Sequence, residues 1–456
     1  MRVAFHGAVR SVTGSLHQVE VNGARVFLEC GLFQGHRDEF YERNRRFPSP
    51  PKDVAAVILS HAHLDHCGNL PTLVTQGFRG PIYCTPATRD LTALVLRDSA
   101  KVQAQDIRLV NKIRHEQGLP NAEPLYDVRA AEQAIAQIMT VPYGRPFSVA
   151  ATTVTFHDAG HILGSAIVIV EAGGRRLGFT GDLGRPSSPI VRDPEAVPPV
   201  DCLLIESTYG DRTHAPLSQA EVQLAEVVTQ TAARGGKVLI PAFALGRTQD
   251  VVYGLHRKRG EGRVPPIPIY VDSPMATDAT EIFRVHADSF DEELTAQLEQ
   301  HDPFGFKGLT YVRSVDESRA LNHKREPFVV IATSGMMEAG RILHHLRQHA
   351  GDERSTLLFV GYQAKGTLGR RLVDGAREVR IFGEPHQVKL QVQRIEAYSA
   401  HADRNELLGW ASRTGRIGRA FCVHGEEGPA AALAQALTVQ GIHTSVPHAG
   451  ESVDVR

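Results

Sequence analysis

Within six residues, His61-Ala62-His63-Leu64-Asp65-His66 offers four side chains that can bind a metal, directly after the apolar run VAAVILS. Such a run reads as a buried strand, and the ligands then sit in the turn at its carboxyl end. His61 and His63 can point to one side of that turn while Asp65 and His66 point to another, a geometry that can serve two metals. Neutral imidazole and carboxylate ligands suit zinc, and also manganese or iron. A polar loop with surface histidines is the plain alternative, and three histidines with an aspartate at this spacing argue against it. The fold must therefore bring further ligands to this turn from elsewhere.

The rest of the chain offers them in the same setting. His161, in HDAGHILGSA, follows an apolar run and is flanked by glycines, with His157 four residues earlier as a competitor. Asp182, in FTGDLG, and His424, in FCVHGE, each end a short apolar run. Short strands dominate the opening: RVAFHG, LHQVEV and ARVFLECG, then PIYCT, TTVTF, RLGFT and DCLLIES. Near residue 209 the rhythm changes. SQAEVQLAEVVTQTAARGG carries a potential capping box, Ser218 with Glu221, and predicts a helix. KVLIPAF, PIYVDS, PFVVIATSG and TLLFVGYQ then read as strands separated by helical segments, which argues for a parallel, doubly wound sheet. Pro86 to Gly118 reads as one long helix or two.

Composition narrows the class. The 456 residues allow two or three domains, and 42% hydrophobic with 22% charged residues is an ordinary globular balance. Five scattered cysteines without a C-x-x-C pair indicate neither a disulfide framework nor a cysteine zinc finger, and fit a reducing compartment. No signal peptide and no membrane-length apolar run is present, so a soluble cytoplasmic protein is expected. A net charge of −1 means that any nucleic-acid binding must use local basic surface.

HAHLDH, the histidine of GHILGSA and the aspartate of TGDLG resemble the successive motifs of the metallo-β-lactamase superfamily. ESTYGDR, SAHAD and VHGE resemble the additional motifs of its β-CASP branch, and PAFALGRTQ, TSGMMEAGR and VGYQAKGTLGRRL add to the match. That branch contains RNA 3′-end-processing nucleases, ribonuclease J and DNA-repair nucleases. The bacterial and archaeal group resembling the polyadenylation endonuclease is the most similar. The resemblance implies an α/β chain: an αββα metallo-β-lactamase sandwich from residues 1–208 and 386–456, with an α/β β-CASP domain, 209–385, inserted between them and the active site in a cleft between the two. It also implies two zinc ions. One would take His61, His63 and His161, the other Asp65, His66 and His424, with Asp182 bridging. Glu29, in FLECG, stands where the family usually has aspartate supporting the histidine loop.

The implied activity is hydrolysis of RNA by a hydroxide shared between the metals, leaving 5′-phosphate and 3′-hydroxyl ends. His401 would protonate the leaving oxygen and Glu206 would orient it. Asp65 joins these two as a catalytic candidate. Single-stranded RNA is the expected substrate, with endonuclease action favoured over exonuclease. Arg247, Ser334, Gly335, Arg341, Lys365, Gly366 and Arg370 are the candidate RNA contacts. From Tyr362 to Arg380 five cations face two carboxylates. A homodimer and RNA-processing protein partners are compatible with the pattern. With the first strand read at the start of the sequence, the separate N-terminal RNA-binding module of some relatives is not expected. The alternative keeps the fold and changes the substrate to DNA or a small ester or phosphodiester. Histidine at the VHGE position favours RNA, since DNA-acting members tend to carry an apolar residue there.

Overall fold

A computed structural model describes all residues except 36, 299–301 and 365. The chain forms two compact units. The first comprises Met1–Ser187, Val191–Thr213 and His401–Arg456, and the second Ser188–Ile190 and His214–Ala400.

Two seven-stranded sheets build the first unit. One runs, in spatial order, Ser452–Asp454, Arg2–Gly7, Leu16–Val21, Ala24–Leu28, Val54–Ile58, Ile82–Cys84 and Ile138–Thr140. The other runs His443–Ser445, Ile417–Val423, Val200–Glu206, Arg175–Phe179, Ala166–Ala172, Thr152–Asp158 and Phe147–Val149. Alternate side chains of both sheets meet in one core. Val3, Phe5, Val19, Leu28 and Ile58 pack there with Val154, Phe156, Val168, Phe179, Leu204 and Val423. The period-two alternation that predicts these strands is thus the pattern of the sandwich itself.

Helices cover the outer faces. Ile167, Leu203, Ile205 and Cys422 pack on Leu407, Trp410, Leu433 and Leu437 of Arg404–Arg413 and Glu427–Val439. On the other side Leu70–Thr75, Pro86–Glu116 and Val128–Ile135 contact one another. The segment from Pro86 is a single 31-residue helix, started by Pro86 at its first position and by Thr85, whose hydroxyl accepts from the Thr88 amide. All five cysteines are buried free thiols.

The second unit is a six-stranded sheet in the order Leu309–Tyr311, Ile269–Asp272, Val329–Ala332, Val238–Pro241, Thr356–Phe359 and Gln391–Arg394, parallel throughout. Each central strand is buried along its length, as in a sheet covered on both faces. One local expectation fails. The helix Leu217–Ala233 starts at Pro216 without a side-chain cap. Glu221 is instead buried and pairs with Arg257 at 3.2 Å and Lys258 at 3.3 Å, because its position on the helix faces the neighbouring helix Arg247–Gly260.

No described helix is long and apolar enough to cross a membrane.

Candidate metal centre

The segment after Val54–Ile58 is held by backbone before any ligand is considered. His63 is the N-cap of the short helix Leu64–Cys67. The loop after Ala24–Leu28 runs alongside: the amides of Cys30 and Leu32 donate to the carbonyls of His66 and Leu64, both at 2.9 Å, and that of Ser15 to Asp65 at 2.8 Å. Gly31 permits this approach, since a Cβ there would lie 1.6 Å from the Asp65 carbonyl oxygen. Glu29, buried and at φ 68°, accepts from the Ser60 amide at 2.8 Å and points its other oxygen at His66 Nδ1, 3.5 Å away. The longer acid in place of aspartate therefore still reaches the ligand loop.

Two groups of donors result. In the first, His63 Nδ1 lies 3.1 Å from His61 Nε2 and 3.2 Å from His161 Nε2. In the second, His66 Nε2 lies 3.1 Å from His424 Nε2, and Asp65 Oδ2 lies 3.3 Å from the same His424 nitrogen. Asp182 stands between them. Its Oδ2 is 3.5 Å from His61, 3.6 Å from His161 and 3.4 Å from His66, and its Oδ1 is 3.4 Å from His424 Nδ1. That Oδ1 is buried without a hydrogen-bond partner. These separations are also within hydrogen-bond range, but His63 Nδ1 faces two imidazole nitrogens at once, the arrangement that a shared metal requires. A tetrahedral zinc with ~2.0–2.1 Å bonds sets neighbouring nitrogens about 3.3–3.4 Å apart, so the donor set fits zinc. His157 lies outside the group, its Nδ1 paired with Glu195 at 3.0 Å.

Electrostatics favour the ligating forms in the first donor group and at both aspartates, while His66 is the exception: burial lowers its value, but Asp182, Asp65 and Glu29 outweigh it and hold it well above the ordinary histidine value. Burial, with the surrounding imidazoles, drives His61 and His161 well below the ordinary histidine value, and His63 down to about 4, so these rings are neutral at pH 7. Burial opposes ionisation of Asp65 and Asp182, but the neighbouring histidines outweigh it and hold both below the usual carboxylate range. Second contacts orient the rings. Ser60 Oγ lies 2.9 Å from His61 Nδ1, and Thr208 Oγ1 is 3.2 Å from His424 Nδ1. Neither residue was singled out from the sequence. Along the sequence, Ser60 stands directly beside a candidate ligand in ILSHAH, and Thr208 follows the apolar run DCLLIES.

His401 joins the cluster from the segment preceding Arg404–Arg413. That helix begins with a capping box of Asp403 and Glu406. Arg185 holds Glu406 at 3.1 Å, and the Ala402 amide donates to the Leu183 carbonyl at 2.8 Å. His401 Nδ1 lies 3.2 and 3.3 Å from the two Glu206 oxygens and 3.8 Å from Asp182 Oδ2. Burial would lower its value, yet Glu206 and Asp182 raise it to about 9. Glu206 is in turn fixed by the Leu183 amide at 2.7 Å.

The candidate RNA contacts lie in the second unit and are less uniform. Ser334 Oγ accepts from the Glu338 amide at 3.1 Å, and the Gly335 carbonyl accepts from Gln363 at 3.0 Å. Gly366 adopts φ 88° with open space where a Cβ would stand. Arg247 and Arg370 pair with Asp250 at 3.4 Å and Asp374 at 2.9 Å. Arg341 spends its guanidinium on Asp272 at 2.6 Å and on the carbonyls of Val312 and Arg313, because it anchors the loop that follows Leu309–Tyr311. Lys365 lies outside the described residues.

Comparison with known proteins matches this architecture piece by piece. Residues 25–240 match a beta-lactamase superfamily domain, 248–372 a Beta-Casp domain, and 385–447 a Zn-dependent metallo-hydrolase RNA specificity domain. Ribonuclease TTHA0252 of Thermus thermophilus is 39% identical over 456 residues, covering all of both chains. The chain belongs to the β-CASP branch of the metallo-β-lactamase superfamily. The transcription termination factor FttA of Methanocaldococcus jannaschii is 34% identical over 444 residues, 94% of this chain and 67% of that protein. FttA of Thermococcus kodakarensis is 36% identical, over 98% of this chain and 70% of that protein. A crystal structure of a protein of unknown function from Enterococcus faecalis V583 shares the fold, with TM-score 0.59, 13% identity and 99% of each chain covered. Membership makes the chain one of a family of metal-dependent hydrolases, consistent with the His/Asp cluster.

Proposed function

We propose that this chain is a two-zinc ribonuclease that hydrolyses single-stranded RNA to 5′-phosphate and 3′-hydroxyl ends. The observation that carries the reading is the convergence of His61, His63, His161 and Asp182 in one donor group and Asp65, His66 and His424 in a second, each within 4.8 Å, around a buried carboxylate oxygen with no hydrogen bond. The names of the ribonuclease and transcription-termination relatives, and the RNA specificity domain at 385–447, support RNA as substrate. Bound zinc supplies Lewis-acid polarisation of the phosphodiester and a nucleophilic water at neutral pH.

The chain's own groups supply the rest. Hydrolysis breaks the bond between phosphorus and O3′, and O3′ leaves needing a proton. His401 provides it. Glu206 holds His401 Nδ1 and favours the protonated ring, and the proton passes from Nε2. Ser334, Gly335, Gly366, Arg247 and Arg370 are the groups assigned to the RNA backbone, with Lys365. Arg341 acts by shaping that region through Asp272. A cytoplasmic enzyme, alone or with partner proteins, fits this chemistry.

The test is cleavage of one single-stranded sequence made as RNA and as DNA, 5′-labelled, with zinc-loaded, chelated and His63→Ala protein. Cleavage of RNA alone, lost in both controls, is expected, and the fragment ladder distinguishes internal from terminal attack. Cleavage of DNA alone, or of neither strand with two zinc ions measured per chain, would overturn the reading in favour of a DNA or small-ester hydrolase.

A further inference from the structure

Phe382 occupies a position in the second unit that core packing does not explain. With Gly383 it forms the two-residue turn joining Glu378–Ile381 to Glu384–Gln387. Both have positive φ, 52° and 84°, the signature of a type I′ turn, where asparagine or glycine is the easy choice at the first position. A bulky aromatic residue is disfavoured there. Nor is the ring buried in return: Phe382 is 51% exposed, whereas Val379 and Ile381 just before it are 1% exposed.

Its neighbours are planar and cationic. On the exposed face of Arg341–His349, the His344 ring lies 4.6 Å from the Phe382 ring at an interplanar angle of 36°, and the Arg347 guanidinium lies 5.5 Å from its centroid. Arg380, exposed on the first strand, donates to the Gly383 carbonyl at 2.9 Å and so sits beside the same turn. Among the described residues neither Arg347 nor Arg380 forms an ion pair with a carboxylate. Partial burial and the adjacent Arg347 lower His344 below its ordinary value, so the ring is neutral at pH 7. Two acids share the hairpin: Glu384 lies 3.9 Å from His386, and Glu378 accepts from the Gln387 side chain at 2.6 Å.

We propose that Phe382 and His344 form a stacking platform for an unpaired base of single-stranded RNA, with Arg347 and Arg380 meeting the flanking phosphates. The inference rests on the ribonuclease reading and extends it to a binding subsite within the second unit, apart from the donor cluster of the first. Every base has a π-face, so such a platform is tolerant of sequence, and arginines without a carboxylate partner beside it complement a polyanion. A lone ring ringed by charge offers too little apolar area to hold a protein surface.

The test uses the full zinc-loaded chain and an unstructured RNA of about 20 nucleotides. Phe382→Ala should raise KM about five- to tenfold, with kcat less affected and the thermal midpoint unmoved. Phe382→Trp should keep the wild-type KM, and Arg347→Gln should raise it about two- to threefold with a shallower salt dependence. Ultraviolet crosslinking and mass spectrometry should find a nucleotide adduct on the peptide that contains Phe382. A wild-type KM in Phe382→Ala together with no adduct would overturn the proposal and leave the ribonuclease reading intact. A wild-type chain that neither binds nor cleaves the RNA would overturn both.

Discussion

Asp182 in the first unit and Asp272 in the second are both buried carboxylates just past or at the end of a sheet strand, with 2% and 0% exposure. Their surroundings differ in one respect. Asp272 is fully satisfied: Arg341 donates to Oδ1 at 2.6 Å, Ser318 to Oδ2 at 2.6 Å, and His345 Nε2 sits at 2.7 Å. Asp182 has four histidine nitrogens at 3.4–3.6 Å and an oxygen with no hydrogen bond. The first is a polar network closed around its carboxylate, with only His345 Nδ1 left without a partner, and it holds three segments together. The second is a set of nitrogen and oxygen donors that face one another. Residue types alone do not separate the two, since both clusters contain aspartate and histidine; the degree of satisfaction does.

That contrast can be broken by substitution. Asp182→Ala should reduce turnover by about 10³-fold or more and lower the zinc measured per chain by elemental analysis, with a small change in unfolding midpoint. A variant that keeps both zinc ions and turnover would show that the unsatisfied oxygen is incidental. His401→Ala should retain zinc yet lose about 10²–10⁴ in turnover, as expected for removal of a general acid; single-turnover kinetics with elemental analysis check this.

For Asp272→Ala the ordering should invert. Removing one member of a buried charged network costs about 3–5 kcal/mol, read in urea unfolding, while zinc content stays as in the wild type. The pH dependence has a defined sign. Burial raises the Asp272 value, but His345, Ser318 and Arg341 together bring it below 3.8. Its stabilisation is therefore present above that value and is lost as the pH falls through the lowered folded value. Urea midpoints at pH 7 and pH 3 should differ more in the wild type than in Asp272→Ala. The smallest effect belongs to Thr208→Val, which leaves His424 Nδ1 without its hydroxyl partner. Zinc affinity, measured by chelator competition, should fall about 10- to 100-fold, and Thr208→Ser should restore it.

Much of this arrangement is legible along the chain because the candidate ligands cluster at strand ends. HAHLDH, TGDLG and VHGE each follow an apolar run, and the structure brings His61, His63, Asp65, His66, Asp182 and His424 together from those ends. The alternation of strand and helix after residue 209 likewise carries the parallel sheet. What is hidden is pairing across long sequence separations. Ser218 and Glu221 satisfy a local capping pattern, yet Glu221 is claimed by Arg257 and Lys258 from the next helix. Arg341 looks like an open phosphate contact until Asp272, far away in sequence, takes its guanidinium. Ser60 and Thr208 gain meaning only once the rings they touch are placed. Spacing records which residues share a turn; it does not record which partner wins a side chain.

The second donor group has a temporal consequence. His66 and His424 meet at 3.1 Å although 358 positions separate them. Strand Ile417–Val423 must also slot in parallel beside Val200–Glu206 to deliver His424. A ribosome therefore finishes the whole second unit before the last of the candidate ligands exists. A growing chain thus lacks the complete donor set for most of its synthesis, and the second group closes only when the carboxyl-terminal strand has been made.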